Sequence, residues 1–364
     1  MKIKRRSKYK KIADEYVEET KKEIENPRVE FIGTGSTCLN LALSGLPDGG
    51  WARGRIHNIV GDKSSGKTLL ALEEAFWFFK NIQNSKSKIF PKVKEPIICF
   101  DKGEGVMDFP VEKMYGQEFY NAVDWERSPH FEAMCRRFFR KVNTLKKGQS
   151  LLYIIDSWDS FKSAKSMEAF LKSVKDDVEI KGDYDMALQK YASSKFFPNV
   201  CSIMDNNGAD ATLCIISQIR DKIGVLFGRK QYRAGGKALD FYTHQVIWIR
   251  ELEKLDKIKL KEKRVYGIKS EALVDRSKVA KPFRTAQFTI LFDYGLDDIS
   301  SCLDYLYGSQ KIKFNGKEFQ TKNEVTKYIE DKNLESLLVS ETAKKWNKVE
   351  KAFEKEVESR KRRF

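Results

Sequence analysis

Residues 56–79 constrain the fold more than any other stretch. An apolar run, "IHNIV", leads into "GDKSSGKT" and then into "LLALEEAFWFF". The first run has strand composition, and the last has the pattern of a helix buried around most of its circumference. Between them, Gly61 and Gly66 permit the backbone angles that aim successive N–H groups at one point, where the helix start adds partial positive charge. Gly61, Asp62, Lys63, Ser64, Ser65, Gly66, Lys67 and Thr68 thus make a candidate phosphate loop. Lys67 is placed to reach the outer phosphates of a nucleotide such as ATP, and the Thr68 hydroxyl to complete a Mg²⁺ shell. The plain alternative is a structural turn with a surface lysine, which does not need a strand before it and a helix after it.

The same grammar continues downstream. "PIICFD", "SLLYIIDS" and "ATLCIISQ" are nearly continuous apolar runs separated by helical patterns, which predicts an α/β fold with a mostly parallel sheet covered on both faces. "SLLYIID" ends on Asp156, a metal partner acting through water or, alternatively, a strand-end or helix-cap aspartate. "IICFDKGE" offers Asp101 and Glu104 for polarising an attacking water. After residue 240, "HQVIWIRELE", "RVYGIKSEALVDRSK" and "AQFTILFDYG" read as antiparallel strands extending the sheet, with the charged "KLDKIKLKEK" between the first two. Residues 1–32 are expected to form an N-terminal arm with a weak amphipathic helix, 33–300 the ATPase core, and 301–364 a small helical C-terminal domain with a basic tail.

With 68 Lys+Arg against 52 Asp+Glu, the formal charge is +16, which favours polyanionic partners, nucleic acid first. The stretch 219–237, "IRDKIGVLFGRKQYRAGGK", holds six basic residues, Arg220, Lys222, Arg229, Lys230, Arg233 and Lys237, against the single acid Asp221. Ile223, Val225, Leu226 and Phe227 stand where no strand period buries them all, and Gly224, Gly228, Gly235 and Gly236 loosen the backbone. Cations for phosphates plus apolar groups to stack or wedge bases suit a single-strand groove; a buried hairpin is the alternative. Six scattered cysteines without Cys-x-x-Cys spacing read as buried thiols in a reducing compartment. No secretory leader, membrane span or structural zinc site is expected, which places the chain in the cytoplasm.

Taken with "TGSTCLNLALSG", "ISQIRDKIGVLFG", "GGKALDFYTHQVIWIRE" and "VDRSKVAKPFRTAQFTILFDYG", these blocks resemble the RecA family of DNA strand-exchange ATPases over about residues 33–300. The resemblance implies a RecA-type P-loop NTPase core that uses ATP and Mg²⁺. Glu104 resembles the water-activating glutamate, although one extra residue precedes it and Asp101 stays a rival. Gln218 resembles the glutamine that senses the γ-phosphate. Phe292 stands where the family packs an aromatic ring on adenine, and Arg276 and Lys278 where two basic residues reach the neighbouring subunit's nucleotide. Gly235 and Gly236 are counted with the segment 219–237 as candidate DNA-binding residues. Met186 aligns with the edge of the first DNA loop, where Lys190 and Tyr191 read equally well as a solvated helix face.

The implied partners are single-stranded DNA, then homologous duplex, and further copies of the chain in a helical filament, with a single-strand-binding protein and a loading mediator besides. The bacterial proteins end in an acidic regulatory tail, whereas this chain ends "SRKRRF". The longer connection at 80–96 is the kind of departure found in the UvsX-like bacteriophage recombinases. Two other readings share the core: a ring-forming motor or helicase, and a mediator paralogue that hydrolyses little.

Overall fold

The computed structural model describes residues 29–358 except 84–89, 91, 106, 108, 177–189, 207–208, 222–230 and 234–235. Two short strands, β1 (Phe31–Ile32) and β2 (Trp51–Ala52), pair antiparallel before the main sheet begins. That sheet has ten strands: β3 (Ile56–Gly61), β4 (Glu95–Lys102), β5 (Val123–Glu126), β6 (Gln149–Asp156), β7 (Ala211–Asp221), β8 (Gln231–Arg233), β9 (Gln245–Lys259), β10 (Glu262–Ser277), β11 (Thr285–Leu291) and β12 (Gly295–Asp297). Their order is β12-β11-β10-β9-β3-β7-β6-β4-β5, with β8 paired to β7.

The apolar runs are continuous because both faces of the sheet are covered. In β6, Leu152 and Ile154 enter one core, shared with helices Thr37–Ser44 and Lys67–Gln83. Leu151, Tyr153 and Ile155 enter the other, against helices Phe131–Asn143 and Phe197–Asn206. Strands β9, β3, β7, β6, β4 and β5 pair in parallel. The antiparallel part therefore starts at β10, one strand later than the sequence pattern suggests, because helix Gly236–Tyr242 supplies a crossover into β9.

A second difference concerns "KLDKIKLKEK". It is no connection between strands: β9 and β10 run on as one ladder to the pair Lys259 and Glu262. The turn is made by Leu260 and Lys261 at φ 51 and 66, the left-handed angles of a two-residue hairpin loop. Neighbouring strands stop earlier, so this ribbon is exposed on both faces and carries charge without a hydrophobic period.

From Phe31 onward the chain packs as one unit. The C-terminal part contributes helix Asp298–Tyr307, the hairpin β13 (Ile312–Phe314) and β14 (Lys317–Phe319), and helices Lys322–Lys332 and Glu335–Glu358. Its Phe314, Val325, Ile329, Leu338 and Trp346 are buried in the core shared with helix Lys67–Gln83. Arg284 seals the contact with a two-point bond to Glu350 and lies over the Trp346 ring. Five of the six cysteines are buried, Cys201 is half-buried, and all are free thiols. The arm expected over 1–32 lies almost wholly outside the described residues. Among those described, no helix is long and apolar enough to cross a membrane.

Candidate active site

Parallel pairing brings four strands side by side at the carboxyl edge of the sheet. Gly61 is in register with Gln218 across β3 and β7, and Lys102 with Asp156 across β4 and β6. Chain direction diverges here: β3 leads by its helix to β4 on one side, and β7 leads to β9 on the other. Such a switch point leaves a crevice outside the carboxyl ends of the strands.

The loop 61–68 sits in that crevice with glycine where only glycine fits. A Cβ on Gly66, at φ 98, would stand 2.4 Å from Ile290 Cδ1, and one on Gly61 would stand 2.6 Å from Ser65 Oγ. Ser64 also takes a left-handed φ of 62. Lys67 folds over the loop and donates to the Asp62 carbonyl at 2.6 Å. Burial lowers the lysine's pKa, opposed by the charges of Asp156, Asp62, Glu104 and Asp159. The Thr68 hydroxyl donates to Asp156 Oδ2 at 2.9 Å, and burial of Asp156 pushes its carboxyl up. A hydroxyl on a buried carboxylate beside a phosphate loop is a donor set that fits a hard divalent cation with a nucleotide.

The two candidate water-activating carboxylates separate cleanly. Asp101 is fully buried and accepts from Ser128 N at 2.8 Å, Ser128 Oγ at 2.6 Å and Tyr153 OH at 2.6 Å, with Arg137 at 3.5 Å. Those bonds tie β4 to its neighbours and turn the carboxylate away from solvent. Glu104 is exposed at the strand end, where Oε1 accepts from Gln218 Nε2 at 2.7 Å and from Ser157 Oγ at 2.5 Å. The backbone N–H of Gln218 donates to Asp159 Oδ2 at 2.7 Å, so the glutamine is held at both ends. Ser157 and Asp159 escape the sequence reading, although both follow Asp156 within three residues.

A cavity of about 610 Å³ opens beside the loop, lined by Ser64, Gly66 and the rings of Phe109 and Phe292. Sites of a few hundred Å³ with aromatic walls take a purine-sized group. Phe109 was legible only as an apolar residue in a polar stretch.

Comparison with known proteins points the same way as the geometry. The model of the RecA N-terminal domain matches residues 166–297. The RecA protein of Rippkaea orientalis is 28% identical over 313 residues, covering 84% of this chain and 79% of the relative. That of Mycoplasma genitalium is 27% identical over 301 residues, covering 82% and 78%. The chain is thus similar to RecA proteins over more than four-fifths of its length.

Arg276 and Lys278 are not at the phosphate loop of their own protomer. Arg276 is level with Val246, which pairs with Asn58, three residues before Gly61. Lys278 lies beyond Ser277, which is level with Gln245 and His57. Along a strand this is roughly 10–17 Å from the end that carries Gly61. Lys278 Nζ donates to the Phe241 carbonyl at 2.9 Å, and burial and the neighbouring Arg276 charge lower its pKa.

Of the candidate nucleic-acid contacts, Met186, Lys222, Ile223, Gly224, Val225, Phe227, Arg229, Lys230 and Gly235 lie outside the described residues. Arg220 is exposed near Asp159 at 3.8 Å, and Gly236 and Lys237 open the helix before β9. Arg233 differs from its reading as a phosphate contact. Its side chain is buried and bonds Asn58 Oδ1 and Asp240 Oδ1, so its donors are already engaged inside the protein.

Proposed function

We propose that the chain is an ATP-dependent recombinase that assembles as a helical filament on single-stranded DNA, searches a homologous duplex and exchanges strands. The observation that carries this reading is the course of β7. Gln218 bonds Glu104 at the candidate hydrolytic site, and the same strand runs on for three residues into the basic segment 222–230. A glutamine placed between a water-activating carboxylate and a nucleic-acid segment links the state of one to the other.

In this reading Lys67, Thr68 and Asp156 hold the triphosphate and Mg²⁺, and Phe109 and Phe292 hold the base. The bound nucleotide supplies the phosphoanhydride bond that is hydrolysed. Glu104 accepts the proton of the attacking water at its carboxylate, with Gln218 and Ser157 fixing the orientation of that carboxylate. Arg276 and Lys278 serve an adjacent copy, since the register of β10 sets them away from the loop of their own protomer; there they meet the charge that develops during phosphoryl transfer. Arg220, Lys222, Arg229, Lys230 and Lys237 meet DNA phosphates, and Ile223, Val225 and Phe227 meet bases.

The test is strand exchange with homologous and heterologous duplexes, together with electron microscopy using a non-hydrolysable ATP analogue. Filaments of DNA length and exchange restricted to the homologous duplex are expected. Closed rings without exchange would make the chain a motor, and negligible ATP turnover with saturating DNA would make it an accessory protein.

A further inference from the structure

We infer that Arg233 is a positioning residue that couples DNA binding to ATP turnover, resting on the function proposed above. It ends β8, the return strand of the nucleic-acid segment, opposite Ile219 on β7. From there its guanidinium is inserted into the protein, with only 6% of the side chain exposed. One nitrogen donates to Asn58 Oδ1 on β3, the strand that delivers the phosphate loop, and another pairs with Asp240 Oδ1 at 2.5 Å on helix Gly236–Tyr242. Asn58 Nδ2 in turn donates to the Ile215 carbonyl at 2.7 Å and Ser217 Oγ at 3.0 Å, and Ser217 precedes the Gln218 that holds Glu104. On its other side the guanidinium feels the charges of Asp275 and Arg276 on β10.

A planar fork with several fixed donors can satisfy two acceptors on different elements at once, which an ammonium group does less well. A buried guanidinium also resists displacement, because removing either partner strands a charge away from water. The stem of the nucleic-acid segment therefore cannot shift without pulling on β3 and on the helix before β9. The first path leads through Ser217 to the protomer's own Gln218. The second leads toward Arg276, which acts on the neighbour's nucleotide.

The experiment compares Arg233→Met and Asp240→Asn with the unaltered protein, using a thymine oligonucleotide. It reads ATP turnover with and without DNA, and oligonucleotide binding over a range of salt. Each variant should lose at least about tenfold of the DNA stimulation, and the double variant should lose no more than the worse single one, as members of one network do. The salt slope of DNA binding should not change in Arg233→Met, because a lost phosphate contact would lower it by about one unit. Asp240→Asn, exposed and remote from the site, should keep its DNA-independent turnover and shows the effect even if Arg233→Met folds poorly. A lowered slope would make Arg233 a DNA contact and overturn the inference. Undiminished stimulation in Asp240→Asn would do the same while leaving the proposed function intact. An unaltered protein with no DNA stimulation would overturn the function and the coupling together.

Discussion

Toward the carboxyl ends of β3, β4, β6 and β7, four segments of one chain bond each other: Thr68 to Asp156, Gln218 and Ser157 to Glu104, and Asp159 to the Gln218 backbone. Where β10 ends, Arg276 and Lys278 stand beside Phe241 and His244, level with the start of β3. The first end is the candidate reaction centre, with its groups drawn from a single chain. The second carries phosphate-seeking chemistry with no phosphate loop beside it. Under the proposed function, the difference teaches that one half of a shared site is recognised by being complete and the other half by being out of place.

The sharpest break in this comparison is Lys67→Ala. It should remove nucleotide binding by the lone protomer and lower turnover by roughly 10³-fold, the order seen when a charge-stabilising donor is lost from a dry site. Equilibrium binding of a fluorescent nucleotide checks it. Arg276→Ala should lower DNA-stimulated turnover by roughly 10²-fold or more yet leave lone-protomer binding within about twofold. Equal loss of binding in both variants would erase the distinction between the two ends.

Glu73 sharpens the account of the first end, on the helix that begins with Lys67. Burial raises its carboxyl to about 7, while Tyr115 OH at 2.9 Å and Leu296 N at 3.2 Å donate to it. The folded carboxyl keeps a proton that the unfolded chain releases near 4.5, so stability falls as pH rises from about 4.5 to about 7 and is flat above. Glu73→Gln should remove that slope, worth on the order of 3 kcal/mol, in urea melts across the window. The smallest effect belongs to a position remote from both ends. Thr321 caps helix Lys322–Lys332 through Glu324 N at 3.3 Å, and Thr321→Ala should cost about 1 kcal/mol of stability without changing turnover.

Strand ends were legible in the sequence where an apolar run stops at a chemically pointed residue, as at Gly61 and Asp156, whereas β7 runs three residues past Gln218. The choice between Glu104 and Asp101 was not, because the groups that bury Asp101 come from Ser128, Arg137 and Tyr153, all distant along the chain. Arg233 misled for a similar reason: in a basic stretch a buried guanidinium looks the same as an exposed one until Asn58 is beside it. "KLDKIKLKEK" hid a strand because a ribbon wet on both faces has no period to read. The C-terminal part is rich in lysine and glutamate, yet Leu338, Thr342 and Trp346 recur every four residues and are buried.

The central claim is that adjacent copies complete one another's nucleotide sites, and mixing two inactive variants tests it most directly. Lys67→Ala protein retains Arg276, and Arg276→Ala protein retains Lys67. In an equal mixture with ATP, Mg²⁺ and single-stranded DNA, random head-to-tail order makes about a quarter of the seams intact. Turnover should return to about that fraction of the unaltered rate. A mixture as inactive as either variant alone would contradict the claim.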